Sequence, residues 1–197
     1  MKLYVISTLM AVWAFMPLNS WGQAMDKKYA TMEVSRELPV EAARVWQAVA
    51  EDYGEIANSH PKIWYSGYEA GSLKGELGAQ RRCDFNEKGS RVLHEQIVGF
   101  DVANMTMTNR VLEAAGFPLD PENAQAIYSV EELGEGKSKV SILFHFRTKP
   151  SFLGPMMKGQ FKGLLNDYLI ALEHYLSTGE VVNAKTDNFQ TIKTLYL

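Results

Sequence analysis

The chain has 197 residues, 46% hydrophobic and 22% charged, which suits one globular domain with a single core and excludes a disordered chain or a membrane bundle. Twenty Lys and Arg against 23 Asp and Glu give a net charge of −3, too weak and of the wrong sign to attract a phosphate backbone, so no nucleic-acid partner is expected. The single cysteine, Cys83, excludes an internal disulfide and a Cys-based metal cluster, and inside a strand it reads as a small apolar residue.

Residues 1–24 differ from the rest. Lys2 precedes an apolar run from Leu3 to Leu18, and Asn19 to Ala24 is polar, with Gly22 and Ala24 at the −3 and −1 positions of a cleavage site. The run is shorter than the ~18–20 apolar residues of a spanning helix, and no basic stop-transfer cluster follows. The segment therefore reads as a cleavable signal peptide without a lipobox cysteine, and the expected location is periplasmic or secreted.

Residues 31–38 alternate as a strand that Pro39 ends. Pro39 also opens a helix in which Val45, Trp46 and Val49 share a face, since a first-turn proline sacrifices no hydrogen bond. Asp52-Tyr53-Gly54 breaks this helix, residues 55–58 allow one more short turn, and His60 before Pro61 resists the α region. From there the period becomes twofold. Strands are predicted at 63–70, 79–85, 91–100, 104–112, 124–133 and 139–148, separated by Gly- and Asn-rich turns, with residues 114–121 as the one longer connection. Six strands without intervening helices imply an antiparallel meander, because parallel neighbours need long crossovers.

After Pro150 the pattern is helical again, with Met157, Phe161, Leu164, Leu165, Tyr168, Leu172 and Tyr175 on one stripe and Thr178-Gly179 as its end. Gly159 and Gly163 weaken this helix, which points to close approach of a neighbour or to a mobile helix end; Phe152 and Met156 then read as a gate. Residues 180–197 show no clear period and read as mostly extended.

A curved antiparallel sheet with one long amphipathic helix on its concave face leaves space that side chains or a guest must fill. The order of elements, with Ala43 to Val49 and Asp52-Tyr53-Gly54, His60-Pro61, Gly78 to Arg82, His94-Glu95-Gln96 leading to Phe100-Asp101, Phe117-Pro118, and Leu172 to Glu180, resembles the START-like, or SRPBCC, superfamily, nearest its polyketide cyclase/dehydrase and lipid-transport group. The resemblance covers about residues 31–180. It implies an α+β helix-grip fold: about seven antiparallel strands wrapped around a long C-terminal helix, with two short helices after the first strand. The chain divides into a signal peptide (1–24), the helix-grip domain (25–180) and a tail (181–197).

Alternation on 139–148 points Val140, Ile142, Phe144 and Phe146 inward and His145 and Arg147 outward. On 91–100 either face could be internal; the resemblance implies that Glu95 points inward. Arg81 and Cys83 then face the same interior. Arg81 and Glu95 inside an apolar cup must pair or meet a polar ligand group. A ligand clamp, a structural ion pair and a shifted register that leaves both in water all stay open. The candidate ligand-binding residues are Tyr65, Arg81, Glu95, Tyr128, Phe144, Met157, Phe161, Leu164 and Tyr168. The expected function is an exported binding protein for a small hydrophobic ligand (lipid, quinone-like or polycyclic), which leaves open a transient membrane contact for ligand exchange. The alternative is a cyclase, aromatase or dehydratase in which Glu95, Tyr128 or Tyr65 moves a proton and Arg81 stabilises negative charge. No cofactor is expected. The four histidines lie in separate elements without ligand spacing, so no metal is expected either.

Overall fold

The computed structural model describes residues 29–197, so the predicted signal peptide lies outside the described residues. Strand β1 (Ala30–Leu38) ends at Pro39 and is followed by helix α1 (Ala42–Trp46). A π-helical turn (Gln47–Glu51) and a 3-10 segment (Tyr53–Asn58) continue it, and Val45, Trp46 and Val49 are buried as one face. The meander follows: β2 (Tyr65–Tyr68), β3 (Gln80–Asp84), β4 (Val92–Asp101), β5 (Thr106–Ala115), β6 (Leu119–Gly134) and β7 (Lys137–Thr148). A 3-10 turn (Ser151–Leu153) leads into the long helix α2 (Gly154–Thr178), which Gly179 closes in the left-handed conformation at φ 79°. A last helix, α3, spans Phe189–Leu195.

Among the described residues the strands form one antiparallel sheet in the order β1-β7-β6-β5-β4-β3-β2. Register shifts at His94/Glu95 and Ile97/Gly99 of β4 and at Leu119/Ala124 of β6 bend the strands, and bending lets a seven-stranded sheet wrap a helix. Strand β6 begins five residues earlier than the period suggested. Pro118 and Pro121 read as breakers, but Pro121 sits inside the register shift, where a missing N–H breaks no ladder bond.

Helix α2 crosses the concave face. Tyr168, Leu169 and Leu172 meet Val34, Leu38, Val140 and Ile142 from the sheet and Val45, Trp46 and Tyr53 from the α1 region in one core. A second cluster around Met32, Phe146, Met157 and Phe161 secures its N-terminal half. The helix-grip architecture and the two short helical segments after the first strand are as predicted.

The extended tail is not what forms. Val182 donates to the Asn58 carbonyl at 2.9 Å and Ala184 to the Ile63 carbonyl at 3.0 Å, which ties the segment beside the 3-10 turn. Helix α3 then lays Phe189 and Ile192 on Ile170 and Ala171 of α2. Arg36 of β1 pairs with Glu173 and donates to the Tyr196 carbonyl at 3.0 Å, and Lys193 meets Asp167 at 2.6 Å. These contacts bury the outer face of α2, which the apolar Ile170 and Ala171 require.

Candidate functional site

Between the sheet and α2 lies an internal cavity of about 90 Å³. Its walls are mostly apolar: Ile63, Leu93, Val111, Leu119, Ala126 and Phe144 with Phe161, Leu164 and Leu165 of α2. One end is polar and is built from β3, β4, β5 and the 3-10 segment. Arg81 donates from Nε to Glu95 Oε2 at 2.8 Å, and its Nη2 reaches the same oxygen at 2.8 Å. Its Nη1 donates to the Tyr53 carbonyl at 2.8 Å, while the guanidinium lies 3.9 Å from the centre of the Tyr53 ring. Asn109 donates from Nδ2 to Glu95 Oε1 at 3.0 Å and to the Tyr53 hydroxyl at 3.3 Å. Both carboxylate oxygens are therefore engaged, and the guanidinium's charge is met where it is buried.

Burial works against the Arg81 charge, but Glu95, and to smaller extents Tyr53, Cys83 and Tyr128, outweigh it and hold the group firmly protonated. Burial pushes the Cys83 thiol up to about 12, with Arg81 opposing and Glu95 adding, which removes the thiolate a nucleophile would need. Burial likewise raises Tyr128 to about 12 against the pull of Arg81, and raises Tyr168 further, so both phenols stay neutral and able to donate.

His60 completes the polar end. Its ring stacks on Tyr168 at 5.3 Å, and Nδ1 accepts the Lys62 backbone N–H at 3.2 Å, which places the ring proton on Nε2. Burial first, and Arg81 second, lower its pKa from 6.5 to about 3, so the ring is neutral. His60, Tyr128 and Tyr168 are buried and line the cavity, and the Tyr128 hydroxyl also interacts with Arg81.

The structure brings Arg81, Glu95, Tyr128, Phe144, Phe161, Leu164 and Tyr168 around this one cavity. It does not bring Tyr65 there. Tyr65 pairs with Asp84 on the outer face and is 50% exposed, and the inward positions of β2 go to Ser66 and Tyr68. Met157 also misses the cavity and packs against the cluster around Phe146, at the floor of an outer cleft. Three polar contributors, Tyr53, His60 and Asn109, were not among the candidates. Asn109 carried a signal, because it sits between Met107 and Val111 in the inward alternation of β5. Tyr53 and His60 come from irregular segments where no period marks an inward face.

Outside the cavity is a cleft of about 860 Å³ along the N-terminal half of α2, and Phe85, Phe117, Phe161 and Leu164 border both spaces. Phe152 and Met156 stand at that helix end, 76% and 59% exposed, and line neither the cleft nor the cavity.

The sequence pattern described as polyketide cyclase / dehydrase and lipid transport matches residues 29–176. The chain belongs to this family. The match ends within α2, so the segment carrying α3 lies beyond the matched residues. Solved structures have the same fold. A solution structure from Thermobifida fusca superposes with a TM-score of 0.61 at 22% identity, covering 74% of this chain and 92% of that one. A crystal structure of a Bacillus thuringiensis protein gives 0.58 at 21% identity over 75% and 98%. Ara h 8.0201 gives 0.56 at 21% identity over 76% and 99%. At these identities the likeness establishes the fold alone. No curated protein matches the chain.

Proposed function

We propose that the protein binds a small, mainly apolar molecule between the sheet and α2, as a carrier or sensor and not as a catalyst. The observation that carries this reading is the cavity's polar end, where Arg81 and Glu95 neutralise each other and His60, Tyr128 and Tyr168 line an otherwise apolar space. Membership of a family whose description includes lipid transport alongside cyclase and dehydrase activity supports the binding of a small apolar molecule.

Proton transfer fits less well. Glu95 is held at both oxygens, and Tyr128 is kept protonated, so neither stands ready to take a proton at neutral pH. Cyclase or dehydratase chemistry would have to use the phenols as donors alone.

Native mass spectrometry of the purified chain tests the binding reading. The expected result is a discrete extra mass that organic extraction removes. A bare mass, both as isolated and after incubation with lipids and quinones, would overturn it. We also propose that the protein works after export, on the pattern of residues 1–24. N-terminal sequencing of protein from the periplasmic fraction is expected to begin at Met25, and a chain beginning at Met1 would contradict export.

A further inference from the structure

We propose that the binding site is a channel running from the polar end of the cavity into the outer cleft, and that it takes a neutral apolar molecule with a hydrogen-bond acceptor at its inner end. This rests on the binding function proposed above and specifies its ligand. The inner chamber alone, at about 90 Å³, is far below the roughly 300–1,000 Å³ of ordinary small-molecule sites. The cleft supplies about 860 Å³ more, and Phe85, Phe117, Phe161 and Leu164 line both spaces.

The chemistry of the inner end follows from its protonation states. His60 Nε2–H can only donate, because Nδ1 already accepts the Lys62 N–H, and the Tyr128 and Tyr168 phenols are protonated donors. Arg81 carries the local positive charge, and Glu95 cancels it, so an anionic head gains no free counter-charge. A carbonyl or ether oxygen suits this end, because the His60 Nε2–H can only donate and the phenols can donate, whereas an ammonium group would stand beside the buried Arg81 charge.

The outer half is defined by what is missing from α2. A Cβ built at Gly159 or at Gly163 would meet nothing within 4 Å, so neither glycine is there for close packing. Both border the cleft. Side chains at these positions would strengthen the helix and fill the cleft, and the glycines keep that space open. Across from them the wall is Asn183, Thr186, Phe189 and Gln190, from the segment beyond the matched residues. Length selection of the ligand therefore belongs to a part of the chain that the family pattern does not match.

Prodan, a neutral naphthyl ketone whose emission reports polarity and hydrogen bonding, is a suitable probe. The wild-type chain is expected to bind it with a blue shift. Gly163→Leu should raise the melting temperature yet weaken prodan binding about tenfold or more. Tyr168→Phe, which removes only the hydroxyl, should weaken it about fivefold and alter the emission of the bound probe. Gly163→Ala serves as the mild variant, with raised stability and a smaller loss. Folded Gly159→Leu and Gly163→Leu variants that bind like wild type would overturn the channel and leave binding in the inner cavity standing. A Tyr168→Phe variant with unchanged affinity and emission would overturn the acceptor-first orientation. A wild-type chain that binds neither prodan nor any guest in native mass spectrometry would remove the binding function itself.

Discussion

The Arg81 guanidinium and the Glu95 carboxylate stand in a core where an ion without a partner costs several kcal/mol. Their side chains are 4% and 12% exposed, so little of the interaction is screened by solvent. Glu95→Gln leaves a buried charge half-answered, and we expect a loss of about 3–5 kcal/mol in urea denaturation. The joint replacement Arg81→Met with Glu95→Leu should cost much less, because it removes both desolvation penalties together. If the double variant proved as unstable as the single one, the pair would be a packing element and not an electrostatic one. His60 sets a pH dependence of a definite sign. Its pKa is about 3 in the fold against an ordinary 6.5, so below pH 6.5 the unfolded chain takes up a proton that the folded chain refuses. Stability contributed at neutral pH is thus lost as pH falls from 6.5 toward 3, by at most about 1.4 kcal/mol per pH unit from this residue. Thermal melts of His60→Leu between pH 7 and 5 should show a flatter acid limb than wild type. Glu95 was legible through the family resemblance, because the alternation of β4 left either face open, and Arg81 followed from the alternation of the neighbouring strand. Tyr65 was misplaced because β2 has only four residues, so the parity of its alternation could not be fixed before its register with β3 was known.

Helix α2 is two helices in energetic terms. From Tyr168 to Leu176 almost every residue is buried, and α3 covers the outer side as the sheet covers the inner. From Gly154 to Gly163 only Gly154, Met157 and Phe161 are buried, and two glycines lower the propensity further. Amide exchange should therefore be markedly faster at 155–163 than at 168–176, and equal protection along the helix would show that its N-terminal half does not open. The stripe and the Gly179 cap made this helix readable, whereas the seven residues of α3 span only about two turns and cannot display a period. What holds α3 is tertiary: Phe189 and Ile192 bury against residues of α2 that read in sequence as an ordinary helix flank.

On the scale of the whole molecule, the sheet's two edges come from the N-terminal part of the described chain, β1 at one side and β2 at the other. The meander from β2 to β7 pairs neighbours in sequence, and that local order is why the fold class could be read from turns and alternation alone. Strand β1 is different. Its only partner in the sheet is β7, with Leu38 opposite Ser138 and Ala30 opposite Phe146, so about a hundred residues must be in place before it has a neighbour. Contacts of such sequence separation are expected to close late, after the meander has crossed the barrier. Val34→Ala should leave the refolding rate nearly unchanged and accelerate unfolding, as stopped-flow denaturant jumps would record. The grip's lifetime would then be governed by how long β1 stays zipped to β7, and its birth by the meander that offers β7 as the edge.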